Sequence, residues 1–352
     1  MLRTNLTNAQ LAELLARAAA EHEGLRQRAF RRAARAAFLW PEEAADLLAA
    51  GRSLGELRGI GPFLSVQVQR WLQNPPPRVT PPPIRRDFLT LAKARRILAA
   101  RPGWAGRLRG DLQMHTHWSD GSGTIAEMGA AAVERGYDYI AITDHSKGLK
   151  IAGGINEEAL AQQGAEIEAW NQENRERGLR ILRSIELNLN PRGEGDMDPE
   201  SLGQLDLVLG SFHSALRTSE DQTARYLAAL RNPHLHILGH PRGRIYNFRA
   251  GLQADWPRVF AEAAQRHVAL EIDCYPDRQD LSVARLREAK KEGAFISLGT
   301  DAHHPWQLEF IELGLAALLE LRWPIERVLN FLPLPDLQRW IGEKKAPAGL
   351  TT

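Results

Sequence analysis

The chain of 352 residues contains a single cysteine, Cys274, so no disulfide can close within it and thiolate zinc sites cannot be a recurring theme. Any metal must then be held by His, Asp or Glu. No apolar run is long enough to cross a bilayer. Met1–Asn5 leads into a mixed polar helix without the apolar stretch of a secretory signal, which predicts a cytoplasmic protein that does not enter membranes. Lysine is missing from the first 92 residues, Lys93 being the first, and this excludes Schiff-base chemistry there. What is present is ordinary for a globular protein: 43% hydrophobic and 25% charged residues, in a length that suits one large domain and one small one.

Along the chain, residues 8–73 read as a helical bundle, with apolar residues at helical spacing in Leu11-Ala12-Glu13-Leu14-Leu15 and Pro41 suited to a first helical turn. The triplets Pro75–Pro77 and Pro81–Pro83 form a stiff, extended spacer. We therefore divide the chain into a helical domain at 1–73, a Pro-rich basic linker at 74–108 with one short helix, Leu89–Ala100, and a second domain at 109–346. The linker carries Arg85, Arg86, Lys93, Arg95, Arg96, Arg101 and Arg107 against Asp87. Such a stretch either faces phosphates or is a solvated connection in an arginine-rich chain, and charge alone does not choose.

From Asp111 the pattern becomes alternating strand and helix. Strands are predicted at Asp111–His115, Tyr139–Thr143, Arg180–Leu187, Leu205–Ser211, Leu235–Gly239, Val268–Ile272 and Phe295–Gly299. Amphipathic helices such as Ile125–Arg135, Glu157–Arg177, Asp255–Arg266 and Val283–Glu292 lie between them. Seven βα units imply an α/β fold with a parallel sheet closed as a barrel, whose chemistry sits at the C-terminal strand ends.

Those ends carry His115-Thr116-His117 with Asp120, then Asp144-His145, Glu186, His213, His240-Pro241 and Asp301-Ala302-His303. In extended chain, residues i and i+2 share a side, so His115 with His117 and Asp301 with His303 can each meet one ion. Imidazole suits Zn and Fe, carboxylate admits Mn or Mg, and Glu186 can bridge two ions. A lone histidine is more often a structural or surface residue, and His22, His234, His236, His267 and His304 are read that way. Lys147, Arg192, Arg217, Arg242 and Arg244 follow strand ends and could grip phosphate, or be solvated loop charges.

Taken in order, His115-Thr116-His117 with Ser119-Asp120-Gly121, Thr143-Asp144-His145-Ser146, Glu186, Ser211-Phe212-His213, Gly239-His240-Pro241 and Thr300-Asp301-Ala302-His303 resemble the motifs of the polymerase-and-histidinol-phosphatase (PHP) family. The resemblance covers about Arg109 to Ala346. It implies a distorted seven-stranded (β/α) barrel with three metal ions. The first would take His115, His117, Glu186 and Asp301; the second Glu186, His213 and His240; the third Asp120, His145 and His303. Ser53–Leu64, with Gly59-Ile60-Gly61, resembles a helix-hairpin-helix, in which Gly59 and Gly61 let the backbone approach a phosphate at a helix N-terminus, although many helix–helix turns also use glycine. Together with Leu25–Ala36, it resembles the small N-terminal domain of bacterial X-family DNA polymerases. The palm such a polymerase needs has no room between the two parts, so polymerase activity is not expected.

The expected reaction is phosphoester hydrolysis by a metal-activated water at a site of three divalent ions (Mn, Zn or Fe). Asp144 or a ligand carboxylate would take the proton, and Asp144, His117 and Glu186 are the residues assigned to catalysis. Three functions follow. The first is a DNA-directed 3′-to-5′ exonuclease or 3′-end-processing repair nuclease. The second is a small-molecule phosphomonoesterase of the histidinol-phosphatase type. The third, a non-catalytic DNA-binding scaffold, would not need so many costly polar groups in one place.

Overall fold

A computed structural model describes residues 6–345; residues 1–5 and 346–352 lie outside it, and with them the first residues of the segment 1–73 and the last of 109–346. The N-terminal part holds four helices: α1 (Asn8–Ala20), α2 (Gly24–Ala36), α3 (Ala44–Ala49) and α4 (Pro62–Gln73). Helix α1 starts at a capping box, the Thr7 side chain and Gln10 satisfying each other's orphan N–H groups. Its apolar stripe, Leu11, Leu15 and Ala18 among others, packs on Phe30, Ala33 and Ala34 of α2 and on Trp40. Helix α4 begins at Pro62, whose missing N–H costs nothing at that position.

The barrel follows. Its elements are α5 (Leu91–Ala99), α6 (Pro102–Ala105), β1 (Gly110–Asp111), α7 (Ile125–Glu134), β2 (Tyr139–Ile142), α8 (Glu157–Glu173), β3 (Arg180–Arg183), β4 (Glu186–Asn188), α9 (Pro199–Gly203), β5 (Leu209–Ser211), α10 (Thr223–Leu230), β6 (Ile237–Leu238), α11 (Trp256–Gln265), β7 (Ala269–Asp273), α12 (Val283–Lys291), β8 (Ile296–Gly299), α13 (Ile311–Glu320) and α14 (Leu334–Lys345). Every named strand pair is parallel, in the order β1-β2-β3 and β4-β5-β6-β7-β8. Backbone bonds join the two sheets at both edges. Glu186 N–H donates to Asp144 O and Ser146 N–H to Glu186 O, while Leu112 N–H donates to Leu298 O and His115 N–H to Ala302 O. With β3 and β4 taken as one strand broken at Ser184-Ile185, the sheet is a seven-stranded closed barrel, distorted at that break.

One buried cluster takes side chains from across the ring: Leu112 beside β1, Tyr139 and Ala141 of β2, Leu182 of β3, Leu209, Ile237 and Ala269. Residues from non-neighbouring strands can touch this way only inside the barrel. Leu337, Trp340 and Ile341 of α14 join the same cluster, so this filling lies away from the polar strand ends.

The linker differs from expectation. Leu89, Ala94 and Leu98 share the main core with the barrel, so α5 is part of the barrel's wall. Its basic residues are mostly engaged internally: Arg85 forks onto Glu13 at 2.7 and 2.8 Å, Arg95 meets Glu309 and Glu312, Arg96 meets Glu43 and Lys93 meets Glu320. Through these four residues the stretch acts as a clasp. An aromatic triad completes the clasp: Tyr246 of the barrel packs on Phe38 and Phe88 with ring centroids 4.7 and 5.3 Å away, inside the core of the helical domain. No helix among the described residues is long and apolar enough to cross a membrane.

Candidate metal centre

Glu186, the first residue of β4, is fully buried and sits among four imidazoles. His240 Nε2 lies 2.7 Å and His213 Nε2 3.2 Å from Oε1, and His145 Nδ1 lies 3.2 Å and His115 Nε2 3.4 Å from Oε2. His115 Nε2 also reaches Asp301 Oδ1 at 2.9 Å. Asp120 lies between His303 at 3.3 Å and His145 at 3.6 Å. Three ligand groups result: His115, Glu186 and Asp301; His145, Glu186 and His213; and His115, Asp120, His145 and His303. These groups hold seven of the nine expected ligands and His240, against Glu186, makes eight; His115, His145 and Glu186 are each shared between two groups.

Outer partners aim these rings. His303 Nδ1 lies 2.7 Å from the Asp301 carbonyl and can only donate to it, which leaves Nε2 as the ligand atom. His213 Nδ1 lies 3.2 Å from Asn188 Oδ1, with the same consequence. The backbone N–H of His240 donates to Glu271 at 2.7 Å. His240 and Asp301 both adopt positive φ, 25° and 52°. Non-glycine residues reach that region at a cost, and such strain gathers at functional sites. Gly121 is required for a different reason: a Cβ there would come within 2.5 Å of the His115 carbonyl, which the 117–120 turn overlies.

The electrostatics favour a cation. Burial works to raise Glu186, but the imidazoles around it outweigh it and hold its carboxyl well below the usual range. Burial pushes His145 down to about 3, so its ring is neutral and presents lone pairs, the form that binds metals. Glu186 Oε2 and His145 Nδ1 are both buried without a hydrogen-bond partner. A cation shared between these two atoms, which lie 3.2 Å apart, would satisfy both. A donor set of imidazole and carboxylate, without thiolate, fits Zn, Mn or Fe.

Not every expected residue joins the site. His117 lies outside the three groups and is exposed, its ring 5.9 Å from that of Trp118. The alternation argument needs an extended chain through 117, whereas the chain turns over 117–120. Asp144 is buried, and four donors fill its oxygens: Thr116 N–H (2.8 Å) and Ser119 Oγ (2.5 Å) on Oδ1, Thr116 Oγ1 (2.6 Å) and Gln163 Nε2 (2.6 Å) on Oδ2. A carboxylate so filled has no lone pair left for a reacting water, and it anchors the turn. Among the expected phosphate grips, Lys147 pairs with Glu157 and Arg192 with Glu194, both at the surface. Arg217 lies over the Phe248 ring at 4.5 Å. Arg242 donates to the Ala250 carbonyl. Arg244 is buried against Phe88, donates to the carbonyls of Arg278 and Asp87, and touches the rim of the site cavity. Gly59 has φ 80° beside Ala36, and Gly61 is extended at the start of α4, away from the metal groups.

Sequence reasoning missed Arg278 and Arg249, which line the site's cavity of about 280 Å³ with Asp120, His213 and His303. Arg278 reaches Asp301 at 2.7 Å and Asp273 at 3.6 Å. It follows β7, and the charges of Asp273, Asp277 and Arg278 at and just after the end of that strand were the available signal.

Residues 111–273 match the PHP domain family. The chain is 30% identical over 236 residues to a probable phosphatase of Photobacterium profundum, covering 62% of this chain and 89% of that protein. The chain belongs to the PHP family. As a PHP-domain protein it is a metal-dependent phosphoester hydrolase. It is also 37% identical over 237 residues to the DNA polymerase/3′-5′ exonuclease PolX of Bacillus subtilis, which covers 67% of this chain and 41% of that protein. The chain thus spans about two-fifths of the length of that relative. A histidinol phosphate phosphatase of Lactococcus lactis, solved with zinc, L-histidinol and phosphate, is similar at a TM-score of 0.44 and 18% identity, over 59% of this chain and 92% of that one.

Proposed function

We propose that this PHP-domain chain is a phosphodiesterase acting on DNA, a 3′-to-5′ exonuclease or 3′-end-processing repair nuclease, working in the cytoplasm with three divalent ions (Mn, Zn or Fe). The observation that carries the hydrolytic site is Glu186 buried among four imidazoles, with Asp301 and Asp120 on either side. His115, Glu186 and Asp301 would hold one ion, Glu186, His213 and His240 a second, and Asp120, His145 and His303 a third. Bound there, such ions lower the pKa of a water and neutralise phosphoryl oxygens. The chain's own residues do the rest. Asn188 and the Asp301 carbonyl aim imidazoles, Glu271 holds the His240 backbone, and Arg278 and Arg249 face the cavity with guanidinium groups that suit phosphate oxygens.

Support for DNA as substrate comes from the helical domain clasped beside the mouth through Tyr246, and from the named activity of the Bacillus relative. A second reading, a small-molecule phosphomonoesterase, is supported by the probable phosphatase that this chain covers at 89%. Purified protein with Mn²⁺ is incubated with single-stranded DNA, 3′-phosphate DNA and histidinol phosphate, before and after chelation. DNA turnover that chelation abolishes and Mn²⁺ restores is expected. Turnover of histidinol phosphate alone would overturn the DNA reading in favour of the second.

A further inference from the structure

A cleft of about 520 Å³ lies between the helical domain and the barrel. Its walls carry Arg31, Arg32 and Arg35 of α2 and the loop residues Tyr246, Asn247 and Phe248. Alanines of α1 form its floor, and among the described residues no carboxylate lines it. The cleft continues toward the metal groups. A second cavity of about 450 Å³ shares Arg35 and Phe248 with it and reaches Arg278 and His303, which in turn line the metal cavity. Asp277 also lines this middle stretch, facing Arg35 at 3.9 Å. Among the described residues Arg31 and Arg32 are exposed and make no ion pair, unlike the linker arginines already tied to Glu13, Glu43 and Glu312.

Resting on the DNA reading above, we infer that this cleft is the path of a single DNA strand, threading its 3′ end past Arg35 and Phe248 to the metal groups. Three features point to this chemistry. The first cleft is cationic, with no acid among its described lining residues, and Arg35 faces Asp277 in the second, so the path favours a polyanion. Arg31 and Arg35 stand four residues apart, about 6 Å along the axis, with Arg32 beside them on the same cleft, so that one strand's neighbouring phosphates can meet them. Phe248 is half exposed with its ring in both cavities, where a base can stack, and Arg217 lies against it. Arg85 serves as a pin for this platform, holding Asn247 Oδ1 at 3.0 Å while forked onto Glu13.

The test measures KM with Mn²⁺ on 3′-hydroxyl oligothymidylates of two and of about ten nucleotides, the longer within the span of known single-strand grooves. Wild type should gain about tenfold or more in KM from the extra length. Arg31→Ala/Arg32→Ala should remove most of that gain. It should also lower the slope of log KM against log salt by about 1.4, two phosphate contacts at about 0.7 each for a single strand. Phe248→Ala should raise KM for the longer strand about tenfold. Arg31→Lys/Arg32→Lys, which keeps the charge, should restore the gain, so a misfolded alanine variant cannot imitate the result. A wild-type length gain and salt slope in the alanine variant would overturn the strand path alone. Hydrolysis of a small chromogenic diester with no cleavage of any oligonucleotide would remove the DNA reading and the path with it.

Discussion

Replacing Glu186 by glutamine tests the centre most directly. The carboxylate touches His240, His213, His145 and His115 at 2.7, 3.2, 3.2 and 3.4 Å, and the amide keeps its shape while removing its charge. A unit charge about 4 Å from a cation, at an effective dielectric of about 20, contributes about 4 kcal/mol. A divalent ion doubles the attraction, but burying the carboxylate costs a comparable amount, so the single-charge figure is the one to use. About 4 kcal/mol is about a thousandfold in metal affinity. The assay is metal content by mass spectrometry after desalting, with kcat/KM on a small chromogenic diester measured in parallel. Glu186→Gln should lose most of its metal and about three orders of magnitude in kcat/KM at limiting Mn²⁺. Wild-type metal content with kcat/KM within about threefold would refute the idea that Glu186 is the shared ligand. Full metal content with lost activity would refute it too, moving Glu186 from holding metal to the reacting water.

Asp144→Asn should act on stability, not as the loss of a base. The new amide would confront donors now satisfied by a carboxylate oxygen, a cost of about 1–3 kcal/mol visible as a lower Tm, while the acidic limb of the pH–rate profile stays where it is. A moved limb would restore Asp144 as a proton acceptor. Tyr246→Ala should cost about 3–5 kcal/mol in urea unfolding and speed proteolysis between residues 74 and 88, because it empties the aromatic clasp between the two parts; unchanged proteolysis would mean that the clasp does not hold them. Asp111 is buried where β1 meets β8, and burial pushes it from 3.8 up to about 7 despite hydrogen bonds from Thr300 and Gln113. Its folded pKa is raised, so its stabilising contribution, on the order of 4 kcal/mol, is present below the unfolded value and is lost as pH rises through 7. Urea midpoints at pH 5 and pH 8 should differ less in Asp111→Asn than in wild type, and an equal difference would rule out this protonation.

The barrel was legible in the sequence because parallel strands read as short apolar runs between amphipathic helices, and a polar residue placed just after each run stands out. That is why His115, His145, Glu186, His213, His240, Asp301 and His303 could be named together. His117 shows the limit. Period-two alternation assumes extended chain, and whether residues 117–120 stay extended or turn depends on Asp144 gathering Thr116 and Ser119 from another strand end. Arg278 shows a second limit: a charged residue five positions beyond its strand carries no periodic signal, and only the return of its loop onto Asp301 gives it a role.

What the sequence determined by itself was therefore local and periodic: the barrel's βα order, the ligand types, the helical character of residues 8–73 and the absence of thiolate chemistry. The tertiary structure alone decided which charges are spent and which remain open. The linker's arginines could equally have faced phosphates or solvent, and folding brings Glu13, Glu43, Glu309 and Glu312 against Arg85, Arg95 and Arg96. Folding also sets Arg31, Arg32 and Arg35 of α2 along a cleft that continues past Asp277 toward the metal groups. Charge pairing depends on partners tens to hundreds of residues away, and no local pattern encodes those distances.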